Sequence, residues 1–298
     1  MIVGTFFYRP TYLIQSEGYR LSIVRSSPAH FAQPLNQQEM KINANRSIDL
    51  LTYYRQISTE VFTVVDLETT GGKGDRDRII EISVLQATLK DGIQQILTDL
   101  INPQIPIPDQ IVKFTGISQD MVRNVDGCDR ILPKYLPMLQ TGVLTAHNIG
   151  FDYSFLKAEY QRLGVEYIAP AQLCTVKLSR LLLPHLPSRS LPKLVKHYGF
   201  DVGKSHRAES DAIACWLLLE KLLTQLLNAA DDEILNLFGQ QWLSMEDIAV
   251  ILQLPLAQVE VLLADSAIKS RFSSHRQVNL YQRKGIEALF DKIKTYAN

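Results

Sequence analysis

The sequence predicts an α/β protein built on a mixed sheet, and three observations carry that reading. Short apolar, β-branched runs come first, at 61–66 (VFTVVD), 79–88 (IIEISVLQAT) and 94–101. From 142 onward a further short run, GVLTA, gives way to segments with apolar residues at helical spacing. Hydrophobic residues make up 46% and charged residues 21% of the 298, which suits a packed core and not a disordered chain. Strands first, then strand and helix in alternation, argue for helices layered on a mixed sheet.

The elements follow in order. In residues 1–58 the stretches 1–14 and 19–24 have strand texture, and 44–57 reads as an amphipathic helix. The run 61–66 is a buried strand, with Gly71, Gly72 and Gly74 marking the turn after it. Asp91-Gly92, between the next two strands, is a hairpin signal. Short helices are expected at 109–115 and 129–140, then a strand at 142–146. A helix over 151–163 follows, with Asn148 as a candidate N-cap. Two more helices are expected at 175–183 and 191–197, and a long amphipathic one at 208–227. An acidic patch, Asp231-Asp232-Glu233, opens the last region.

Composition excludes several classes. Three cysteines without CxxC spacing exclude a disulfide scaffold and a cysteine-based zinc site. Lys+Arg 31 against Asp+Glu 31 leaves no global basic signature, although a local basic groove remains compatible with zero net charge. No apolar run reaches the roughly 18 residues of a membrane span. Arg9 and Pro10 interrupt the apolar start MIVGTFFY and no basic segment precedes it, so no secretory signal and no membrane association are expected. The expected compartment is the cytoplasm.

The chemistry lies in acids at strand ends and helix starts. Asp66 and Glu68 close the first strand as DLETT, and residues two apart in a strand share a face. Two carboxylates side by side repel unless one is protonated or a cation sits between them; hard oxygens of this kind suit Mg²⁺ or Mn²⁺. Asp152 falls in HNIGFD, where a strand turns into a helix, with Phe151 and Phe155 four apart. His206 lies in a loop before the long helix, and Asp211 lies inside that helix. Taken singly, each has an ordinary explanation: a solvated strand end, an acid favoured by a helix dipole, a surface His and Asp. Together, four acids and a histidine fit two-metal phosphodiester hydrolysis, with two divalent cations about 3.5–4 Å apart. A histidine with an unperturbed pKa near ~6.5 is suited to take a proton from water at neutral pH.

The segments DLETTG, HNIGFDYSFL and HRAESDA, in this order and spacing, resemble the three exonuclease motifs of the DEDDh, or DnaQ-like, 3′–5′ exonuclease family. That group includes the proofreading epsilon subunit of bacterial DNA polymerase III, ribonuclease T and oligoribonuclease. The resemblance covers roughly residues 59–228, supported by IIEI, FTGIS, CTVKLSR and SLPKL. It implies a ribonuclease H-like mixed sheet flanked by helices, and removal of nucleotides from 3′ ends with two divalent cations, Mg²⁺ or Mn²⁺. By motif position Asp66, Glu68, Asp152 and Asp211 match the metal-binding acids, and His206 matches the general base. A Tyr-type relative would carry tyrosine at 207, where this chain has Arg207. The resemblance also implies nucleotide contacts from Leu67, Thr69 and Thr70, with His147, Asn148 and Phe151 lining the same cleft. Glu81, a buried-looking acid on the second strand, is expected to hydrogen-bond within the structure and not to hold metal.

Beyond this region, SMED at 244–247 reads as a capping box, followed by short helices at 246–252 and 256–264 around Pro255. A hairpin is expected at 268–281 and a last helix at 285–296. The order resembles a small winged helix-turn-helix domain, assigned to 240–298, in which Lys269, Arg271, His275 and Arg276 are placed to track a phosphate backbone. Its second helix, PLAQVEVLLA, carries Glu260 and no Lys, Arg or Asn, so base-edge readout is not expected; a nonspecific DNA-binding wing or a protein-interaction module is. Residues 1–58 form an N-terminal extension of unknown role and 59–228 the exonuclease domain. The function read from the whole is a metal-dependent 3′–5′ exonuclease of DNA in proofreading or repair. Its expected partners are nucleic acid, DNA rather than RNA, and a DNA polymerase or other replication or repair protein. An exoribonuclease and a noncatalytic nucleic-acid-binding adaptor are the alternatives, the second disfavoured by the intact acids.

Overall fold

The computed structural model describes residues 45–264, 266–274 and 276–297. The strands expected at 1–14 and 19–24, and His275 in the expected hairpin, lie outside the described residues.

The chain enters through helix α1 (Ser47–Ile57) into strands β1 (Phe62–Thr69), β2 (Ile79–Thr88) and β3 (Gly92–Leu100). These three form an antiparallel meander whose hairpin turns at Gly92, with φ +69. Helices α2 (Asp109–Thr115), α3 (Gln119–Val122) and α4 (Cys128–Leu139) follow, then β4 (Val143–Ala146), α5 (Ile149–Arg162) and β5 (Ala171–Cys174). The five strands form one sheet in the order β3-β2-β1-β4-β5, with β4 parallel to both β1 and β5. The mixed sheet is therefore present as the sequence implies. β5, only four residues long, gives no periodic signal and was not expected.

Gly142 shows how tightly β4 enters. Its φ is +68, and a Cβ there would stand 2.0 Å from the Val61 carbonyl oxygen, so only glycine lets the chain turn beside β1.

Helices α6 (Thr175–Leu182), α7 (Leu191–Tyr198) and α8 (Ala208–Asn228) come next. α8 crosses β1 and β2 on one face of the sheet, and α4 and α5 cover the other. Alternation along β1 serves both layers: Phe62 and Val64 enter the core with Trp216 and Leu219 of α8, whereas Val65 and Leu67 pack with Leu132 and Leu156 of α4 and α5. Leu50, Leu51, Tyr54 and Ile57 of α1 are buried in the α8 core. This helix, placed by sequence in an N-terminal extension, thus packs as part of the sheet-and-helix body.

The remaining elements are α9 (Asp231–Gly239), β6 (Trp242–Leu243), α10 (Met245–Leu252), α11 (Leu256–Ala264), β7 (Ser270–Ser273), β8 (Val278–Gln282) and α12 (Arg283–Ala297). Ser244 and Asp247 form the expected capping box at the start of α10. α10 and α11 are bent by 103°, and β7 and β8 make the expected hairpin, extended by β6 into a three-stranded sheet. Leu243, Ile248, Ile251, Val259, Leu263 and Ile286 form a separate small core. Glu287 of α12 accepts hydrogen bonds from the Ser47 amide and hydroxyl at 2.7 and 2.9 Å, so the last helix caps the first. No single helix among the described residues is long and apolar enough to cross a membrane.

Candidate active site

β1 pairs with β4 only from Phe62 to Val64. Asp66 and Glu68 continue the Phe62–Val64 row, so they face α8 at the end of the strand where that pairing has ended. Ligands of open α/β sheets bind at such carboxyl-terminal strand ends. Asp152 is buried in the first turn of α5, where the backbone of Leu67 and of Asp152 itself favours its ionised form against the effect of burial. Asp211 lies in the first turn of α8 and accepts the His206 N–H at 3.0 Å. That bond folds the preceding loop back and holds His206 at φ +63.

These residues meet in one cavity of about 280 Å³. Asp66, Glu68, Asp152, His206 and Asp211 all line it, as do Leu67, Thr69, His147, Asn148 and Phe151. Thr70 is the sequence-selected residue that does not line it. It is buried, and its hydroxyl accepts the Arg78 amide at 2.9 Å, closing the loop after β1. Asn148 holds the N-cap position of α5 but makes no side-chain cap, which corrects the expectation. Its φ of 90 and ψ of 56 are left-handed, and side-chain capping needs the extended conformation to bring the oxygen onto the N2 and N3 amides.

The electrostatics are those of crowded carboxylates. Burial first, then Asp152, Asp211 and Glu68, raise Asp66 well above the usual range. Burial and Asp211 push Glu68 up to about 8; Asp152 and Asp211 are raised chiefly by burial. Ligand atoms of Glu68, His206 and Asp211 all lie within 4.8 Å of one another. Hard oxygen donors that repel one another when ionised fit divalent cations, which remove the repulsion on binding.

The neighbours fix this set in place. Glu81 accepts Arg207 Nε at 3.1 Å and Nη2 at 2.6 Å, and the Ala208 amide at 2.9 Å. It anchors the start of α8 and the His206 loop, in line with the structural role expected of it. His147 is held at both ring nitrogens: Nε2 donates to the Arg189 carbonyl at 2.8 Å and Nδ1 meets the Thr175 hydroxyl at 2.9 Å. Burial lowers its pKa to about 4, so it is a neutral wall of the cavity. Phe151 and Phe155 pack with ring centroids 5.0 Å apart.

The sequence places a helix at 109–115, where α2 is found, but not its side chains in the site. Ile111, Phe114 and Thr115 line the cavity, and the Phe114 ring lies 3.8 Å from that of His206 at 34°. Phe114 is 57% exposed. The signal was an aromatic in FTGIS ahead of the helix-ending Gly116, but its partner lies 92 residues on and no periodicity connects them.

A family model described as "Exonuclease" matches residues 63–219. The chain is 33% identical over 202 residues to a Clostridium perfringens protein named DNA polymerase III PolC-type, covering 67% of this chain and 14% of that one. It is 37% identical over 175 residues to a Mycobacterium tuberculosis protein named as a bifunctional exonuclease/endonuclease, covering 56% of this chain and 27% of the other. The chain therefore spans only about a seventh to a quarter of these curated relatives. Among solved structures, Escherichia coli exonuclease I with a dT13 oligonucleotide superposes with a TM-score of 0.51 at 16% identity, over 56% of this chain and 41% of that one. That likeness is one of fold.

Proposed function

The chain belongs to the exonuclease family whose model covers residues 63–219, and we propose that it is a 3′–5′ exonuclease acting on DNA. The family implies divalent-metal dependence; Mg²⁺ or Mn²⁺ is the cation the oxygen donors favour. One observation carries the reading: Asp66, Glu68, Asp152, His206 and Asp211, distant in sequence, line a single cavity. Asp66, Glu68, Asp152 and Asp211 would hold the cations, and the chemistry such cations would supply there is charge stabilisation of phosphodiester hydrolysis.

The protein's own groups do the rest. His206 takes the proton of the attacking water as general base, a role worth about 10²–10⁴-fold in rate. Its ring is oriented by Phe114, and its backbone by Asp211. Phe151 offers an aromatic face to the terminal base, a contact of roughly 1–3 kcal/mol that does not read sequence. His147, neutral and held at both nitrogens, shapes the wall without adding charge.

DNA is favoured over RNA by the names of the sequence relatives, DNA polymerase III PolC-type among them. A role in proofreading or repair beside a DNA polymerase follows from the same resemblance. The 240–298 region, with its helix pair and hairpin, is read as a winged-helix-like module holding nucleic acid or a partner.

The test is digestion of 5′-labelled single-stranded DNA and RNA with Mn²⁺, by the wild type and Asp66→Ala. A ladder shortening from the 3′ end of DNA, absent in the variant, is the expected result. A ladder on RNA alone moves the substrate to RNA. No product on either, with DNA still bound, overturns the enzyme reading.

A further inference from the structure

The cavity accepts a chain end, and the rest of the strand needs a path away from it. Arg189, in the loop between α6 and α7, stands directly behind one wall: its carbonyl holds His147, whose ring lines the cavity. Its guanidinium donates Nη2 to the Leu183 carbonyl at 2.6 Å, and its buried Nε has no hydrogen-bond partner. Arg180, exposed in the last turn of α6, and Arg271, exposed on β7, both act on Arg189. After burial, these two like charges hold its pKa below the usual guanidinium range. Two separate parts of the fold thus present arginines to one another.

Among the described residues none of Arg180, Arg189, Lys269 or Arg271 forms an ion pair with a carboxylate, whereas Arg78 and Arg207 do. Arg271 and Lys269 lie over the Trp242 ring of β6, at 4.4 and 6.0 Å from its centroid. Like charges gathered without a counter-charge are held at a cost that a polyanion removes, and a phosphate backbone is the polyanion whose binding gains from counterion release. An aromatic ring among cations is also the composition of single-strand grooves. The neighbouring helix α11 is unlike this surface: Leu256 and Val261 are exposed, Val261 at 73%, beside Glu260 and with no base.

We propose that Arg180, Arg189, Lys269 and Arg271, with Trp242 beneath them, form a phosphate-binding track that carries the single strand running out of the cavity onto the β7–β8 hairpin. The assignment rests on the exonuclease reading in placing the 3′ end in the cavity. It extends that reading by giving the hairpin, and not α11, the contact with nucleic acid, and by making the nuclease body and the hairpin two halves of one site.

The experiment is fluorescence anisotropy with the full chain and labelled oligothymidylates of about 4 and about 16 nucleotides, bracketing the usual single-strand site sizes. Ca²⁺ serves as cation, with turnover checked to be absent. The variants are Arg180→Glu and Arg271→Glu, both exposed, and Lys90→Glu in the β2–β3 turn as a charge-matched control. In the wild type the longer strand binds more tightly. Each arginine reversal reduces that length-dependent gain by about tenfold at low salt and lowers the salt slope by about one per lost phosphate contact; Lys90→Glu leaves both unchanged. Equal losses in all three variants, or none in the arginine variants, overturn the track, and the second outcome leaves the patch to an acidic protein. Length-dependent binding in Ca²⁺ by a protein that gives no hydrolysis of DNA or RNA with Mn²⁺ sinks the exonuclease reading while the track stands.

Discussion

Replacing Arg207 by methionine tests whether the His206 loop is held by a buried charge pair. Glu81 is 1% exposed, and four polar contacts satisfy it: Arg207 Nε to each oxygen at 3.1 Å, Nη2 to Oε1 at 2.6 Å, and the Ala208 amide to Oε2 at 2.9 Å. Arg207→Met leaves one. Removing one partner of a fully buried pair costs about 3–5 kcal/mol. The Arg207 side chain is 39% exposed, so water enters where the guanidinium leaves, and about 2–3 kcal/mol is expected. At roughly 2–4 °C per kcal/mol for a domain of this size, the midpoint falls by about 5–10 °C. Thermal unfolding of the metal-free protein reads this directly. Glu81→Gln removes the charge but keeps an acceptor for Ala208, so the double variant should be more stable than the sum of the two single losses predicts. A single variant that loses less than about 1 kcal/mol, or a double variant that is merely additive, refutes the idea that this pair holds the loop.

Three further outcomes follow from the same geometry. Asp66→Asn removes one member of the carboxylate cluster, so the metal-free protein should gain about 1–2 kcal/mol while losing cation affinity; calorimetry with and without Mn²⁺ separates the two, and a less stable metal-free variant contradicts the repulsion. Glu68 is raised from 4.5 to about 8, so the folded state binds its proton more tightly than the unfolded one. The stability this contributes is complete below about pH 4.5 and is lost as pH rises through 8. Urea titrations of the metal-free protein should then show a decline of up to about 1.4 kcal/mol per pH unit across that window, which a saturating divalent cation flattens; a rise instead reverses the assignment. Glu287→Ala removes the acceptor of the Ser47 amide and hydroxyl and of the buried Arg283. It should cost about 2–3 kcal/mol and speed hydrogen exchange at the start of α1; wild-type exchange there shows that α12 does not hold that helix.

The local parts of this protein were legible because their signals are local. β2 begins and ends where its apolar run does, and Asp91-Gly92 marks the hairpin that follows it. The capping box at Ser244 needs only four residues to declare itself. The acids were legible for a different reason: a carboxylate at the end of a buried strand is costly, so its presence asks for a cation. Even so, period two could put Asp66 and Glu68 on one face without saying which helix that face meets.

The sequence by itself determined the residue types of the site, their order along the chain and the strand and helix on which most of them sit. Tertiary structure decided which of them face one another. It stacked Phe114 on His206, gave Glu81 to Arg207, bound both nitrogens of His147 and turned Thr70 into the loop closure. It also joined the first described helix to the last through Glu287 and brought Arg189 within electrostatic reach of Arg271. Propensity and periodicity act over a few residues, set by backbone geometry at each position. Pairings across tens or hundreds of residues arise only when burial against the sheet fixes each helix in place, and no spacing in the chain encodes that meeting.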